Sequence, residues 1–144
     1  MDGGRRLLRH SMQIRHVDAG SCNGCEAEIA ALLNPVYDAQ RHGLDVVASP
    51  RHADVLTVSG PVSRQMAGAL RRTYDAVGSP RVVVAVGDCA AGMCPFAGSY
   101  AAGTGVSGVV PVDRRIPGCP PSPAEILRHL RALMAGTESE SADA

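Results

Sequence analysis

Val82-Val83-Val84-Ala85-Val86 is an unbroken aliphatic run, closed by Arg81 on one side and Gly87 on the other. Five apolar residues with no polar alternation suit a strand covered on both faces, the condition of a parallel sheet flanked by helices. Three further strand-like runs, at 44–49, 54–60 and 109–116, are rich in Val and Ile. Helical patterns alternate with them. One helix should follow Cys25, with Glu26 and Glu28 in a first turn that favours acids, Ile29, Leu32 and Leu33 as its apolar stripe, and Asn34-Pro35 as its stop. A second runs from about Val62 to Ala76, where Val62, Met66, Leu70 and Tyr74 recur every four residues. The third carries the clearest punctuation. Ser122 is its N-cap, Pro123 takes the first helical position, Glu125 completes a capping box, and Gly136 closes the end. The alternation predicts an α/β domain of three layers around a mostly parallel sheet.

A chain of 144 residues fits one domain. Arg5, Arg6, Arg9, Arg15, His10 and His16 against Asp2 alone make residues 1–16 read as a basic N-terminal tail. Glu138, Glu140 and Asp143 make 137–144 an acidic, disordered tail, which leaves 17–136 as the folded domain. Overall, 14 basic residues balance 14 acidic ones, so no global field draws the chain to nucleic acid. The longest aliphatic run, Val82 to Val86, falls far short of the roughly twenty residues that cross a bilayer. Arg5-Arg6 has no apolar segment behind it and is a poor secretory or twin-arginine signal. The expected location is therefore cytoplasmic, with any membrane association made through partners.

In a reducing compartment, clustered cysteines more often bind metal or do redox chemistry than form disulfides. Cys22 and Cys25 precede the first helix, Cys89 follows the Val82–Val86 run at once, and Cys119 follows the last strand-like run. Ligands of an open α/β sheet gather at the carboxyl ends of its strands. All four cysteines can therefore converge on one edge, and a glycine within two residues of each lets backbone approach a bulky inorganic core. The leading reading is one iron–sulfur cluster. A structural zinc site is the alternative, since four thiolates also suit tetrahedral zinc, and it would make the chain a zinc-stabilised, non-redox interaction module. A thioredoxin-like dithiol is weaker, because no strand is read ahead of Cys22-x-x-Cys25 and it leaves Cys89 and Cys119 unexplained. No G-x-G-x-x-G or P-loop is present.

Gly20-Ser21-Cys22-Asn23-Gly24-Cys25-Glu26 resembles the opening of the small subunits of membrane-bound, energy-converting [NiFe] hydrogenases. Pro50 to Leu56, Val58 to Pro61, Ala85 to Ala90, and Val110 to Asp113 with Pro117 to Pro121 continue the likeness in order, from about residue 17 to 135. The same superfamily holds the complex I 20 kDa subunit that carries a terminal [4Fe–4S] cluster beside the quinone site. The resemblance implies a flavodoxin-like fold and one [4Fe–4S] cluster on Cys22, Cys25, Cys89 and Cys119. It further implies a relay of electrons to or from a large hydrogenase-like or complex I-like catalytic subunit, with other iron–sulfur and membrane subunits around it. No active site of the chain's own is expected, and the complex would sit peripherally on the cytoplasmic face of the membrane. The hydrogenase branch is favoured, because the complex I branch has two adjacent cysteines where this chain has Cys22-Asn23-Gly24-Cys25. Glu28 is similar in position to a family glutamate proposed to relay protons; compensation of the helix dipole is the competing reading. After Cys89-Ala90 the family usually has a Gly-Gly pair, whereas here Gly92-Met93-Cys94-Pro95 precedes Phe96. Cys94 is read first as inert packing, with a spare thiol or an alternative ligand beside it. Arg51 and His52 read as surface or interface residues, and the Tyr100 region as core packing near the cysteine loop.

Overall fold

The computed structural model describes residues 7–136. Its strands are β1 Met12–Asp18, β2 Leu44–Val46, β3 Val55–Ser59, β4 Val82–Val86 and β5 Arg114–Ile116, and its helices are α1 Gly24–Ala31, α2 Arg64–Ala76 and α3 Pro123–Ala135. The strands form one sheet in the order β2-β1-β3-β4-β5, and every pair in it is parallel. This is the flavodoxin-like order, whose switch point lies between β1 and β3.

The aliphatic run behaves as a strand buried on both faces must. Val82, Val84 and Val86 join Met12, Ile14, Ile29, Ile126 and Leu130 in one core, while Val83 and Ala85 join Leu56, Val58 and Leu70 in the other. α1 and α3 therefore cover one face and α2 the other. Each fully buried Val or Leu contributes about 1.5–3 kcal/mol relative to exposure, so the two cores dominate the stability. The alternation places His16 of β1 on the same face as Met12 and Ile14, and Thr57 and Ser59 of β3 on the same face as Val55. An otherwise apolar face thus ends in a polar patch at the carboxyl edge of the sheet. Thr57 and Ser59 are 2% and 0% exposed, so their hydroxyls need partners.

The punctuation of α3 acts as read except at Glu125, whose carboxylate pairs with Arg128 at 2.6 Å, and α1 ends at Ala31, ahead of the expected Asn34-Pro35 stop. Ser122 accepts the Glu125 amide at 3.3 Å, Pro123 opens α3, and Gly136 closes it at φ 69°. α2 begins at Arg64 behind a Ser63 cap, two residues later than the periodicity predicts. Val62 has φ 60° and stays buried against α2 from outside it.

Three readings of the sequence need correction. Met12–His16, placed in the basic tail, form most of β1, the strand that pairs with both β2 and β3. Gln13, Arg15 and His16 hide the buried Met12 and Ile14 in a composition count. Residues 1–6, and the acidic tail at 137–144, lie outside the described residues. It follows that Cys22-x-x-Cys25 does succeed a strand. Second, the run at 109–116 yields only Arg114–Ile116 as strand. Pro111 has no amide to give a ladder, and Val106 and Val110 turn into the α2-side core instead. Third, β2 stops at Val46, ahead of a 3-10 turn at Pro50–His52.

Candidate metal centre

Three loops leave the carboxyl ends of β1, β4 and β5 and carry the cysteines: 19–23 with Cys22, 87–105 with Cys89, and 117–122 with Cys119. Cys25 sits in the first turn of α1. Cys22 and Cys119 are exposed, and Cys25 and Cys89 are half-buried. All four share one electrostatic environment, since Cys25 feels Cys89, Cys22 and Cys119, and Cys89 feels Cys119 and Cys22. Burial, then the charge of Glu26 and of the neighbouring cysteines, pushes the Cys25 thiol up to about 11. Burial, then Cys94 and the same neighbours, pushes Cys89 up to about 11. A cluster of thiolates with no cation among them is self-repelling, and a bound cationic core reverses that penalty.

Backbone hydrogen bonds hold the loops together. Beyond β4 the Gly87 amide donates to the Ile116 carbonyl at 2.8 Å. The Asp88 amide then donates to the Gly118 carbonyl at 2.9 Å, and the Asp88 carboxylate accepts the Gly118 amide at 3.0 Å. The residues just before Cys89 and Cys119 are thereby tied to each other. Gly87 has φ 88°, and a Cβ there would stand 2.6 Å from the Cys25 Sγ. Only glycine lets β4 end this close to the thiol. Gly60, at φ 87°, does the same at the end of β3, where a Cβ would meet the Ser21 amide at 2.8 Å.

The polar patch on the α1 face is a connected network. Ser21 Oγ donates to Glu26 Oε2 at 2.5 Å, Ser59 Oγ donates to Glu26 Oε1, and His16 Nε2 lies 3.3 Å from Glu26 Oε1. His16 Nδ1 lies 3.1 Å from Thr57 Oγ1. Burial outweighs the neighbouring Glu26 carboxylate and lowers the His16 pKa, so the pair is a hydrogen bond to neutral imidazole, not a salt bridge, at neutral pH. Partial burial pushes the Glu26 carboxyl up, but hydrogen bonds from Ser21, Ser59, its own amide and His16 outweigh it and hold the group below its usual range. The sequence carries a signal for this patch that composition conceals: Thr57 and Ser59 are polar at alternate positions of a Val- and Leu-rich strand.

The remaining candidates fall in different places. Glu28 is half-buried, in the same helix as Cys25. Cys94, read first as inert packing, is half-buried on the same loop as Cys89. That loop curls back through Met93 N to Asp88 O at 2.9 Å and Gly92 N to Cys89 O at 3.1 Å, and the Cys94 thiol is among the groups that push the Cys89 pKa up. Tyr100, expected to pack in the core, is 86% exposed, and Met93 and Phe96 beside it are 58% and 69% exposed. Arg51 and His52 are exposed surface residues.

The donor set fits an iron–sulfur core: four thiols along one edge, two of them difficult to ionise without a cation, with Gly87 leaving space beside the Cys25 sulfur. Among the described residues, no three His, Cys, Asp or Glu side chains are drawn tightly enough together to hold one ion. The thiols thus share an edge without sharing a single coordination point.

The chain is 43% identical over 122 residues to the probable membrane-bound hydrogenase subunit mbhJ of Pyrococcus furiosus, which covers 85% of this chain and 73% of that one. It is 42% identical over 122 residues to formate hydrogenlyase subunit 7 of Escherichia coli, covering 85% of this chain and 48% of the relative, about half its length. A chain in the structure of the membrane-bound sulfane sulfur reductase, an archaeal respiratory membrane complex, superposes with a TM-score of 0.77 at 26% identity, over 94% of this chain and 77% of that one. A chain of an NAD+-reducing [NiFe]-hydrogenase shares the fold, with a TM-score of 0.69 at 20% identity, over 90% and 94% of the two chains. The family profile described as NADH ubiquinone oxidoreductase, 20 kDa subunit, matches residues 22–133, a span that takes in all four cysteines, and the chain belongs to that family.

Proposed function

We propose that this chain is the electron-relay subunit of a hydrogenase-like or complex I-like oxidoreductase, with Cys22, Cys25, Cys89 and Cys119 holding one [4Fe–4S] cluster. What supports the reading is the position of these four cysteines, on three separate loops and a helix start at the carboxyl edge of a parallel sheet, near enough that they raise the pKa of Cys25 and Cys89. When bound, such a cluster supplies one-electron exchange while its thiolate ligands stay fixed. The chain's own part is to fix those ligands, give up their protons on loading, and set the charge around them. Gly87 keeps the centre open, and the Asp88–Gly118 pair fixes the distance between two of the ligand loops. Glu28, in the helix that starts at the cysteine pair, is the candidate for moving protons at the interface.

A relay must exchange electrons with a neighbour. Met93, Phe96 and Tyr100 present an exposed apolar surface on the loop that carries Cys89, which suits docking of a large catalytic subunit at the cysteine edge. No helix among the described residues is long and apolar enough to cross a membrane. The named relatives belong to membrane-bound and formate hydrogenlyase assemblies, which supports peripheral attachment through membrane and iron–sulfur partner subunits on the cytoplasmic face.

Anaerobic purification with the neighbouring large subunit tests this. Expected are co-elution, four irons and four sulfides per small subunit, and a visible absorption that bleaches on reduction. Zinc bound in place of iron, with no bleaching, would replace the relay by a zinc-stabilised interaction module.

A further inference from the structure

We infer that Glu26 is the positioning residue of the Cys22–Cys25 loop, clamping both cysteines to the sheet through Ser21, Ser59 and His16, and that its fixed negative charge holds down the reduction potential of the cluster. The inference rests on the reading of Cys22 and Cys25 as cluster ligands.

Ser21 and Glu26 immediately bracket the two cysteines, and the 2.5 Å hydrogen bond between their side chains closes the segment into a loop. The other carboxylate oxygen reaches two strands, accepting from Ser59 of β3 and meeting His16 of β1 at 3.3 Å. Ser21 Oγ also accepts the Asn23 amide at 3.1 Å, and Asp18 Oδ1 accepts the Gly20 and Ser21 amides at 3.0 and 2.8 Å. The segment from the end of β1 to the first turn of α1 is thus anchored at Gly20, Ser21 and Asn23, and Glu26 joins Ser21 to both strands. A carboxylate has enough lone pairs for all three side-chain donors, so none is left unpaired. An apolar residue here would pack α1 onto the sheet equally well, but it would release Ser21 and leave Ser59, at 0% exposure, without that acceptor. Compensation of the helix dipole requires only a carboxylate in the first turn; it does not require contacts to β1, β3 and Ser21 at once. Adding an electron beside a fixed anion is harder, and cluster potentials follow local charge and hydrogen bonding.

Position and charge separate in two substitutions. Glu26→Gln keeps an oxygen for Ser59 and a polar partner for Ser21 while removing the charge; Glu26→Ala removes both. In the full chain without its cluster, Glu26→Ala should speed hydrogen exchange of the amides at 21–25 at least about tenfold, and Glu26→Gln should restore most of the protection. With the cluster in place, Glu26→Gln should retain full iron and shift the potential, read from the reduced-state EPR signal, to more positive values. If Glu26→Ala does not fold, Ser59→Ala should give the faster exchange in its place. Exchange within about twofold of the native chain in Glu26→Ala, or in Ser59→Ala where it takes that variant's place, or a Glu26→Gln potential equal to the native one, would overturn the inference. Exchange is measured without the cluster, so a native chain that binds no iron defeats the ligand reading and leaves the clamp standing on its own result.

Discussion

Asp88 and Gly118, thirty positions apart, exchange two hydrogen bonds: the Asp88 amide to the Gly118 carbonyl at 2.9 Å, and the Gly118 amide to the Asp88 carboxylate at 3.0 Å. Each is the residue immediately before a cysteine, so the pair sets how far apart Cys89 and Cys119 stand. Asp88→Ala keeps the backbone bond and loses the carboxylate bond, at about 1.5–3 kcal/mol for a hydrogen bond to a charged group. Asp88→Asn keeps an acceptor oxygen and should cost less. Chemical denaturation of the cluster-free variants, with bound iron measured after reconstitution, should rank native, Asn, Ala in both quantities.

Gly87 makes a sharper test of the space around Cys25. At φ 88°, with a Cβ position 2.6 Å from the Cys25 Sγ, Gly87→Ala should carry about 1–2 kcal/mol of backbone strain and also displace the thiol. Iron binding should fall by more than the stability loss explains. Gly78→Ala is the control, since a Cβ there meets nothing within 4 Å; it should leave iron binding and the melting temperature essentially unchanged.

Much of the fold was legible because its determinants are local. Val82–Val86 needs no context to be read as a doubly buried strand, and Ser122-Pro123 with Gly136 punctuates α3 by backbone chemistry alone. β1 was hidden for the opposite reason. His16, Arg15 and Gln13 are polar, and what makes them strand residues is pairing with β2 and β3 and, for His16, the hydroxyls of Thr57 and Ser59 across the sheet. The candidate cysteines stood out by type and by position after strand-like runs. Their supports did not, because Glu26 contacts Ser59 and Asp88 contacts Gly118 across more than twenty residues, a relation that exists only once the sheet has formed.

The thiol chemistry of the cluster-free chain carries a pH signature. Alkylation requires thiolate, and both Cys25 and Cys89 are pushed from 9.0 to about 11, chiefly by burial. Raised values leave less thiolate at neutral pH, so labelling of these two should climb about tenfold per pH unit and level off only near about pH 11. Peptide-resolved mass spectrometry with a small alkylating reagent reads this directly. A plateau near pH 9 at either cysteine would contradict the shared, buried thiol environment.

Glu28 separates proton transfer from helix stabilisation. If it moves protons in the assembled complex, Glu28→Gln should leave the reduced-state spectrum intact and lower turnover by about a hundredfold, the low end for a lost proton-transfer group. A helix-dipole role alone predicts a stability loss of about 0.3–1 kcal/mol with turnover unchanged. Turnover and melting temperature of the same preparation distinguish the two.

Bound iron across a five-member cysteine series, recorded with the reduced-state EPR signal and circular dichroism, bears most directly on the ligand assignment. Each thiolate of a cubane binds its own iron, so Cys22→Ala, Cys25→Ala, Cys89→Ala and Cys119→Ala should each abolish the native signal and lose the cluster or convert it to a three-iron form. Cys94→Ala should keep iron, signal and fold, because the four other cysteines already complete the proposed site. Circular dichroism separates ligand loss from unfolding, since metal binding and folding are linked. Loss of the cluster in Cys94→Ala together with its retention in Cys89→Ala would contradict the assignment and move the ligand from Cys89 to its neighbour.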